Sequence, residues 1–357
     1  TTIFVQSVVH KFTEFMPKTK KNISIYDIAK ALNVSASTVS RALQDHPRIS
    51  LEVRKKVQKK ALEMNYKPNR MAVNLKLGKS STIGVVVPNI NRNFFSSAID
   101  GIEEEAYKAG YDVLICQSLE SYEKEKKLIN SLAQGKVDGV IASIASGTHE
   151  YSHFNNLENY GIPLVLFDRA SDQVDSAGTV TVDDYRGGYM VVEHLIKQGK
   201  KKIFHFAGFQ HVAIWYNRCR GYRDAMNAHG IYIGEDWISY GDITQENGQA
   251  LAQKISLMEP ADRPDAVFCT SDFVALGLMQ ELRKFGIKIP EDIAICGFAN
   301  EPIDALMVPS LSSVDQFSKR IGQQAARMLL DQLNGESPAN IILEPELVIR
   351  DSTMCNN

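Results

Sequence analysis

Three short apolar stripes at helical spacing open the readable part of the chain. Ile25, Ile28, Ala29 and Leu32 share one face, with Ser24 at the N-cap and Asp27 in the capping-box position. Asn33-Val34 interrupts that pattern. Ser35 caps a second short helix that turns Val39, Ala42 and Leu43 inward, and His46-Pro47 ends it. Ser50 caps a third, with Val53, Val57, Ala61 and Met64 as its apolar stripe and Arg54, Lys55, Lys56, Lys59 and Lys60 on its other faces.

Beyond residue 80 the pattern changes. Short β-rich runs alternate with helical stretches: Ile83–Val87, Val113–Cys116, Gly139–Ala142, Leu164–Phe167, Val180–Val182, Ile203–Ala207, Ala266–Thr270 and Ile293–Gly297. Intervening segments carry helical spacing, such as Ile99, Ile102, Ala106 and Val192, Leu195, Ile196. Such alternation predicts parallel sheets with helices on both faces. The pattern restarts near Gly187, which predicts two similar doubly wound lobes with a cleft between them. The expected organisation is a disordered tail over 1–22, an all-α helix-turn-helix head over 23–66, a hinge or linker over 67–80, a two-lobed α/β body over 81–352 and a short tail over 353–357.

Length and composition agree with several domains. The 357 residues exceed what one core usually supports. With 44% hydrophobic and 23% charged residues, the chain is neither disordered nor collagen-like. No apolar run is long enough for a transmembrane helix, so no membrane partner is expected. The net charge of -2 conceals a segregation. Residues 17–80 hold 15 Lys and Arg against 4 Asp and Glu, whereas residues 81–357 hold 24 against 37. A basic head on an acidic body suggests that only the head meets a polyanion, although a solvated basic surface would give the same count.

Two short helices joined by a tight turn and braced by a third form a helix-turn-helix unit. Its second helix is the one that enters a major groove, amino end first. Here that end carries Ala36, Ser37 and Thr38, with Arg41 one turn on. Arg can hold guanine through a bidentate fork, and Ser or Thr can bond base edges or phosphate. Arg48 completes the DNA-binding set. A three-helix bundle without DNA contact is the alternative, and the concentrated positive charge argues against it.

The run Ile25-Tyr-Asp-Ile-Ala-Lys-Ala-Leu-Asn-Val-Ser-Ala-Ser-Thr-Val-Ser-Arg-Ala-Leu43 resembles the DNA-binding head of the LacI/GalR family of bacterial repressors, and Asn65-Tyr-Lys-Pro-Asn-Arg-Met-Ala-Val-Asn-Leu75 resembles that family's hinge. The resemblance implies that Tyr26 contacts phosphate, that Ala36, Ser37 and Arg41 face bases, and that Leu75 is a minor-groove wedge. Residues 69–76 make about two helical turns, too few to be stable alone in water. Such a segment would order only when DNA and a second copy support it, and an apolar wedge kinks the duplex. A plain flexible linker is the alternative.

The body resembles the same family, whose fold is shared with periplasmic sugar-binding proteins. The matching segments include Asn93-Phe94-Phe95, Gly161-Ile-Pro-Leu-Val-Leu-Phe-Asp-Arg169, Gly221-Tyr-Arg, Ser271-Asp272, Gly297-Phe298 and Leu347-Val-Ile-Arg350. Ligands of open α/β sheets lie beyond the carboxyl ends of the strands. Asn91 and Phe94 follow the first run, Arg169 the fourth, and Asp272 comes after Thr270, while Arg218 precedes Gly221. An aromatic face with carboxylates and guanidinium forks suits a sugar. The resemblance places effector contacts at Phe94, Arg169, Arg218 and Asp272. Arg92-Asn93 replaces the Asn-Pro common in the family, which points to an unusual ligand at the first loop.

The resemblance implies a cytoplasmic homodimer that reads a roughly palindromic double-stranded operator under control of a small-molecule effector, with a carbohydrate as the family-level expectation. A tetramer is not expected, since the family's C-terminal leucine repeat does not follow Arg350. A periplasmic solute-binding protein would explain the body and has no use for residues 23–76. A sugar-active enzyme would need a catalytic constellation, and none is found. His149-Glu150-Tyr-Ser-His153 matches the H-E-x-x-H zinc pattern, but it is expected on a surface helix with no third ligand nearby. Gly78-Lys79-Ser80 lacks the first P-loop glycine, because residue 73 is Val73. No cofactor, metal or catalytic residue is assigned. Cys116, Cys219, Cys269, Cys296 and Cys355 form no C-x-x-C pair, which suits buried thiols in a reducing compartment. The first ten residues are apolar but make a poor signal peptide, and Met16 is the expected native start.

These readings separate two kinds of contact. Arg41→Ala should weaken binding to the operator more than to random DNA, whereas Lys56→Ala should weaken both alike. Equal losses on both duplexes for Arg41→Ala would refute its assignment.

Overall fold

The computed structural model describes residues 23–66, 80–232 and 234–354. The tail over 1–22, residues 67–79 of the expected hinge with Pro68 and the expected wedge Leu75, and Cys355 lie outside the described residues. The chain divides into two compact units, Thr1–Gly78 and Lys79–Asn357.

The first unit is built from α1 (Ile25–Leu32), α2 (Ala36–Leu43) and α3 (Leu51–Glu63). Ser24 and Asp27 form a reciprocal capping box at the start of α1. Asn33 ends that helix in the left-handed region, at φ 52°, and so turns the chain sharply into α2. The Ser35 hydroxyl accepts from the Thr38 N–H at 3.1 Å and starts α2. The three helices converge on Ile28, Val39, Ala42 and Val57, a core small enough that each of these side chains is almost wholly buried.

The second unit holds two lobes. The first lobe is a six-stranded parallel sheet in the order β11-β5-β4-β3-β1-β2. Its strands are β1 (Thr82–Val87), β2 (Asp112–Gln117), β3 (Gly139–Ala142), β4 (Leu164–Phe167), β5 (Gly178–Val182) and β11 (Asn340–Leu343). Helices α4 (Asn93–Lys108) and α11 (Ser318–Leu333) cover one face, where Ile83, Val85 and Phe167 meet Ile102, Ala325 and Leu329. Helix α5 (Tyr122–Gln134) and the short α6 (Ser152–Asn155) with the 3-10 turn that follows it (Asn156–Tyr160) cover the other, where Val86, Val140 and Leu166 meet Ile129 and Leu157. Burial on both faces is why these strands read as continuous apolar runs. The edge strand β2 departs from that rule, since Leu114 and Ile115 remain exposed.

The second lobe has a four-stranded parallel sheet, β7-β6-β8-β9, formed by β6 (Ile203–Phe206), β7 (Ile238–Ser239), β8 (Ala266–Cys269) and β9 (Ala294–Cys296). Helices α7 (Asp184–Lys197) and α8 (Ala213–Ala228) lie on one face, and α9 (Gln245–Ser256) and α10 (Asp272–Lys284) on the other. An antiparallel ribbon of β10 (Ser313–Asp315) and β12 (Glu346–Val348) adjoins it.

The lobes are not consecutive in sequence. The chain leaves the first lobe after β5, returns from β10 into α11 and β11, and leaves again into β12. Two lobes and a restart near Gly187 match the sequence reading, but the return of residues 318–343 does not follow from a simple repeat. The short strands β7, β10, β11 and β12 also escape the apolar-run criterion. Three of the cysteines are buried as expected, whereas Cys116 on the edge strand is partly exposed.

Three helix pairs pack backbone to backbone through glycine. A Cβ on Gly322 would overlap the Ala98 carbonyl, and one on Gly101 the Lys319 carbonyl, at the α4–α11 crossing. Gly188 and Gly221 do the same for α7–α8, against the carbonyls of Arg218 and Tyr185. Gly248 and Gly277 do so for α9–α10. Where the chain enters the second unit, the Asp138 carboxylate accepts from the backbone N–H of both Ser80 (2.6 Å) and Ser81 (2.8 Å).

Because the obstacle at Gly221 is backbone, a methyl group there must separate the two helices. Gly221→Ala should lower stability by about 1–3 kcal/mol. Urea denaturation of the whole chain checks this, and an unchanged midpoint would show that α7 and α8 part freely.

Candidate functional site

On the head, α2 divides its residues between core and solvent. Val39 and Ala42 are buried, and Ala36 packs at the edge of the same core. Ser37 and Arg41 lie four residues apart on the exposed side. Thr38 is held locally, its hydroxyl 2.8 Å from that of Ser35. Tyr26 is 71% exposed, which leaves its hydroxyl available to a large anion. Arg48 is exposed in the loop between α2 and α3. Of the predicted readers, the structure thus presents Ser37 and Arg41 together, while Ala36 also serves the packing of the head. Lys56 forms an ion pair with Glu52 at 2.8 Å, whereas Lys55 and Lys59 stand exposed beside it.

In the body a cavity of about 280 Å³ lies between the two lobes. It sits at the carboxyl ends of the strands, as the topology of open α/β sheets requires. Phe94, Arg169 and Arg218, for which the resemblance implies effector contacts, line it. Arg218 is buried and held by three contacts. Its Nε donates to Asp184 at 2.7 Å, its Nη1 donates to the Thr270 carbonyl at 2.8 Å, and its guanidinium carbon lies 3.6 Å over the Phe298 ring. Arg169 donates to Glu120 at 2.8 Å, and its Nε makes no hydrogen bond but lies 3.9 Å from the Asp168 carboxylate. The Thr270 hydroxyl is buried without a hydrogen bond. A polar group left so at a cavity wall is one that a ligand's hydroxyl or carbonyl group would satisfy.

Asn91 and Asp272 stand elsewhere. Asn91 is exposed and lines a neighbouring depression. Asp272 does not line the cavity. It is 2% exposed, and its carboxylate accepts from the Ser313 hydroxyl at 2.7 Å and the Glu301 N–H at 3.1 Å. Asp272 therefore fixes the loop that carries Glu301. Burial raises the Asp272 carboxyl, and burial together with the nearby Asp272 charge raises that of Asp304 as well.

Cavity residues that sequence reasoning missed include Glu120, Trp215, Phe273 and Glu301, whereas Arg92, in the loop that the sequence singled out, also lines it. Trp215 and Phe273 sit in the first turns of α8 and α10, a position that the strand-end rule could have flagged. Glu301 lies on a loop with no local signature. Against its burial, which acts upward, Arg169 and the Ser146 N–H bring Glu120 below the ordinary carboxylate range. Asp168 is pushed up to about 6, mainly by burial. Glu301 is pushed up to about 7 by burial and by the charge of Asp272, with Arg92 and the Phe94 N–H pulling the other way.

The H-E-x-x-H run is not on one helix face. His149 precedes α6 in a loop and packs 4.7 Å from the Tyr122 ring. His153 is buried, with Nε2 3.0 Å from Glu125, which also accepts from the Ala145 N–H and the Thr148 hydroxyl. The expected surface helix is corrected accordingly: a buried carboxylate needs donors, and His153 is one of them. Among the described residues no cluster of three or more His, Cys, Asp or Glu could hold a metal, and no helix is long and apolar enough to cross a membrane.

Comparison with known proteins gives two family matches: bacterial regulatory proteins of the lacI family over residues 24–69, and the periplasmic binding protein-like domain over residues 192–353. The HTH-type transcriptional repressor PurR of Vibrio vulnificus is 33% identical over 333 residues, spanning 92% of this chain and 98% of that protein. The HTH-type transcriptional repressor CytR of Escherichia coli is 34% identical over 330 residues, 92% of this chain and 95% of that one. Among solved structures, the lac repressor dimer bound to operator and the anti-inducer ONPF has the same fold, with a TM-score of 0.83 at 24% identity over 94% of this chain and all of that one. The transcriptional regulator CelR in complex with cellobiose gives 0.69 at 27% identity over 93% of this chain and all of that one.

The raised Glu301 carboxyl has a consequence for stability. The folded state keeps that proton up to about pH 7, while the unfolded chain releases it near the ordinary value of about 4.3. Between these values the folded state binds more protons, so stability falls as pH rises through the window and levels off above it. Glu301→Gln removes the term. From about pH 5 to pH 8 the wild type should lose about 1–3 kcal/mol relative to the variant. Parallel pH-dependent curves in chemical denaturation would contradict this.

Proposed function

The chain belongs to the lacI family of bacterial regulatory proteins, and we propose that it represses transcription from a roughly palindromic operator as a cytoplasmic homodimer under control of a small polar effector. It is a DNA-binding transcriptional regulator with an effector-binding body. The observation that carries the reading is the joining, in one chain, of a head presenting Ser37 and Arg41 on an exposed helix face with a body that encloses a two-lobed cavity.

In this reading Ser37 and Arg41 meet base edges, while Tyr26, Arg48 and the lysines of α3 neutralise phosphates. Leu75 acts as the minor-groove wedge. The effector lies among Phe94, Arg169, Arg218, Trp215 and the Thr270 hydroxyl. Aromatic faces and the Thr270 hydroxyl suit a ring with hydroxyl or carbonyl edges, and the cellobiose bound by CelR favours a carbohydrate. Control is a linkage: a ligand that prefers one lobe arrangement shifts the equilibrium between DNA-competent and incompetent dimers.

A gel shift on the promoter of the protein's own operon tests the DNA half. Affinity should fall by orders of magnitude between about 50 and 200 mM salt if several phosphates are neutralised. A thermal-shift screen of sugars and nucleobases tests the other half, since a ligand of the folded state at about 100 times its Kd adds roughly 2.7 kcal/mol. Salt-independent DNA binding, or a saturating ligand that leaves operator affinity unchanged, would defeat the reading.

A further inference from the structure

The loop entering α4 has an uncommon arrangement. Arg92 occupies the N-cap position of this helix and makes no side-chain cap there. Caps are normally short side chains that accept hydrogen bonds from the first turn. The Arg92 side chain instead crosses the cleft. Its Nη2 donates to the Ile243 carbonyl at 3.0 Å, and its guanidinium carbon lies 3.8 Å over the Phe273 ring. Both partners belong to the second lobe.

On the second lobe, Glu301 lines the same cavity as Arg92 and Phe94, within reach of the Arg92 charge. Two weaker ties flank Arg92. The Arg169 guanidinium lies 5.3 Å over the Trp215 ring, and His211 Nε2 is 2.9 Å from the Ser146 carbonyl. An open cleft would leave the Ile243 carbonyl without its Arg92 donor and the Phe273 face bare.

We propose that Arg92 is a built-in latch that holds the two lobes closed when no small molecule is bound. Its planar guanidinium stacks on one group of the second lobe while donating to another, as a ligand in the cleft would. The proposal concerns regulation of the same cavity and rests on that reading only for its biological meaning, because the closure it describes needs neither effector nor DNA. The lobes thus have a preferred arrangement of their own, and an effector acts against it or in concert with it.

Trp215 lines the cavity and is one of two tryptophans in the chain. In the full-length protein carrying Trp237→Phe, acrylamide quenching of Trp215 reports opening directly, with no ligand present. Arg92→Ala should raise the quenching constant about two-fold or more as open molecules become populated. Phe273→Leu should raise it similarly, and the double variant no further than either single one, because both act through one contact. Arg92→Lys keeps the charge without the planar fork and should resemble Arg92→Ala. It also carries the test if the alanine variant does not fold, as judged by its thermal midpoint. Wild-type quenching in Arg92→Ala or in Arg92→Lys, or additive effects in the double variant, would overturn the latch. A sugar screen without hits would count against the effector reading and leave this result untouched.

Discussion

Backbone contact between paired helices is the constraint on which the body depends. At each of three crossings, reciprocal glycines bring one helix against the carbonyls of another. The helices so fixed include α4, α8 and α10, and the amino ends of these three carry Phe94, Trp215 and Phe273 to the cavity wall. The Arg218 carbonyl itself is the atom against which Gly188 rests. A few tenths of an ångström at a crossing would therefore be passed on to the side chains that meet a ligand, since packed interiors transmit strain rather than absorb it.

The polar groups of the cavity show a division of labour that charge counting alone does not reveal. The guanidiniums of Arg169 and Arg218 are each paired with an acid of the same lobe, and that of Arg92 is spent on a carbonyl and an aromatic face of the opposite lobe. Few polar atoms of the cavity wall are left without a hydrogen bond, the Thr270 hydroxyl among them.

Much of this architecture is legible in the chain. The runs Gly139–Ala142 and Leu164–Phe167 are strands over the stated residues because burial on both faces leaves them wholly apolar. The caps Ser24, Ser35 and Ser50 mark the three helices of the head, since an unpaired N–H is costly and a hydroxyl is the local remedy. The return of α11 and β11 to the first lobe is not legible, because it depends on Gly322 meeting Ala98 across more than two hundred residues. The placement of Asp272 is illegible for a similar reason. Its partners Ser313 and Glu301 come from another stretch of chain, and a buried carboxylate looks the same in sequence as one that faces a ligand. His153 shows the converse, a motif whose letters match a metal site while the fold supplies Glu125 as a partner instead.

The Asp138 carboxylate, at the amino end of β3, grips the backbone N–H groups of Ser80 and Ser81 at once. Two donors on one acceptor leave the chain little freedom to swivel at that point. Ser80 and Ser81 are thus moored to the first lobe through a single carboxylate. Any tilt of that lobe carries the start of the second unit with it.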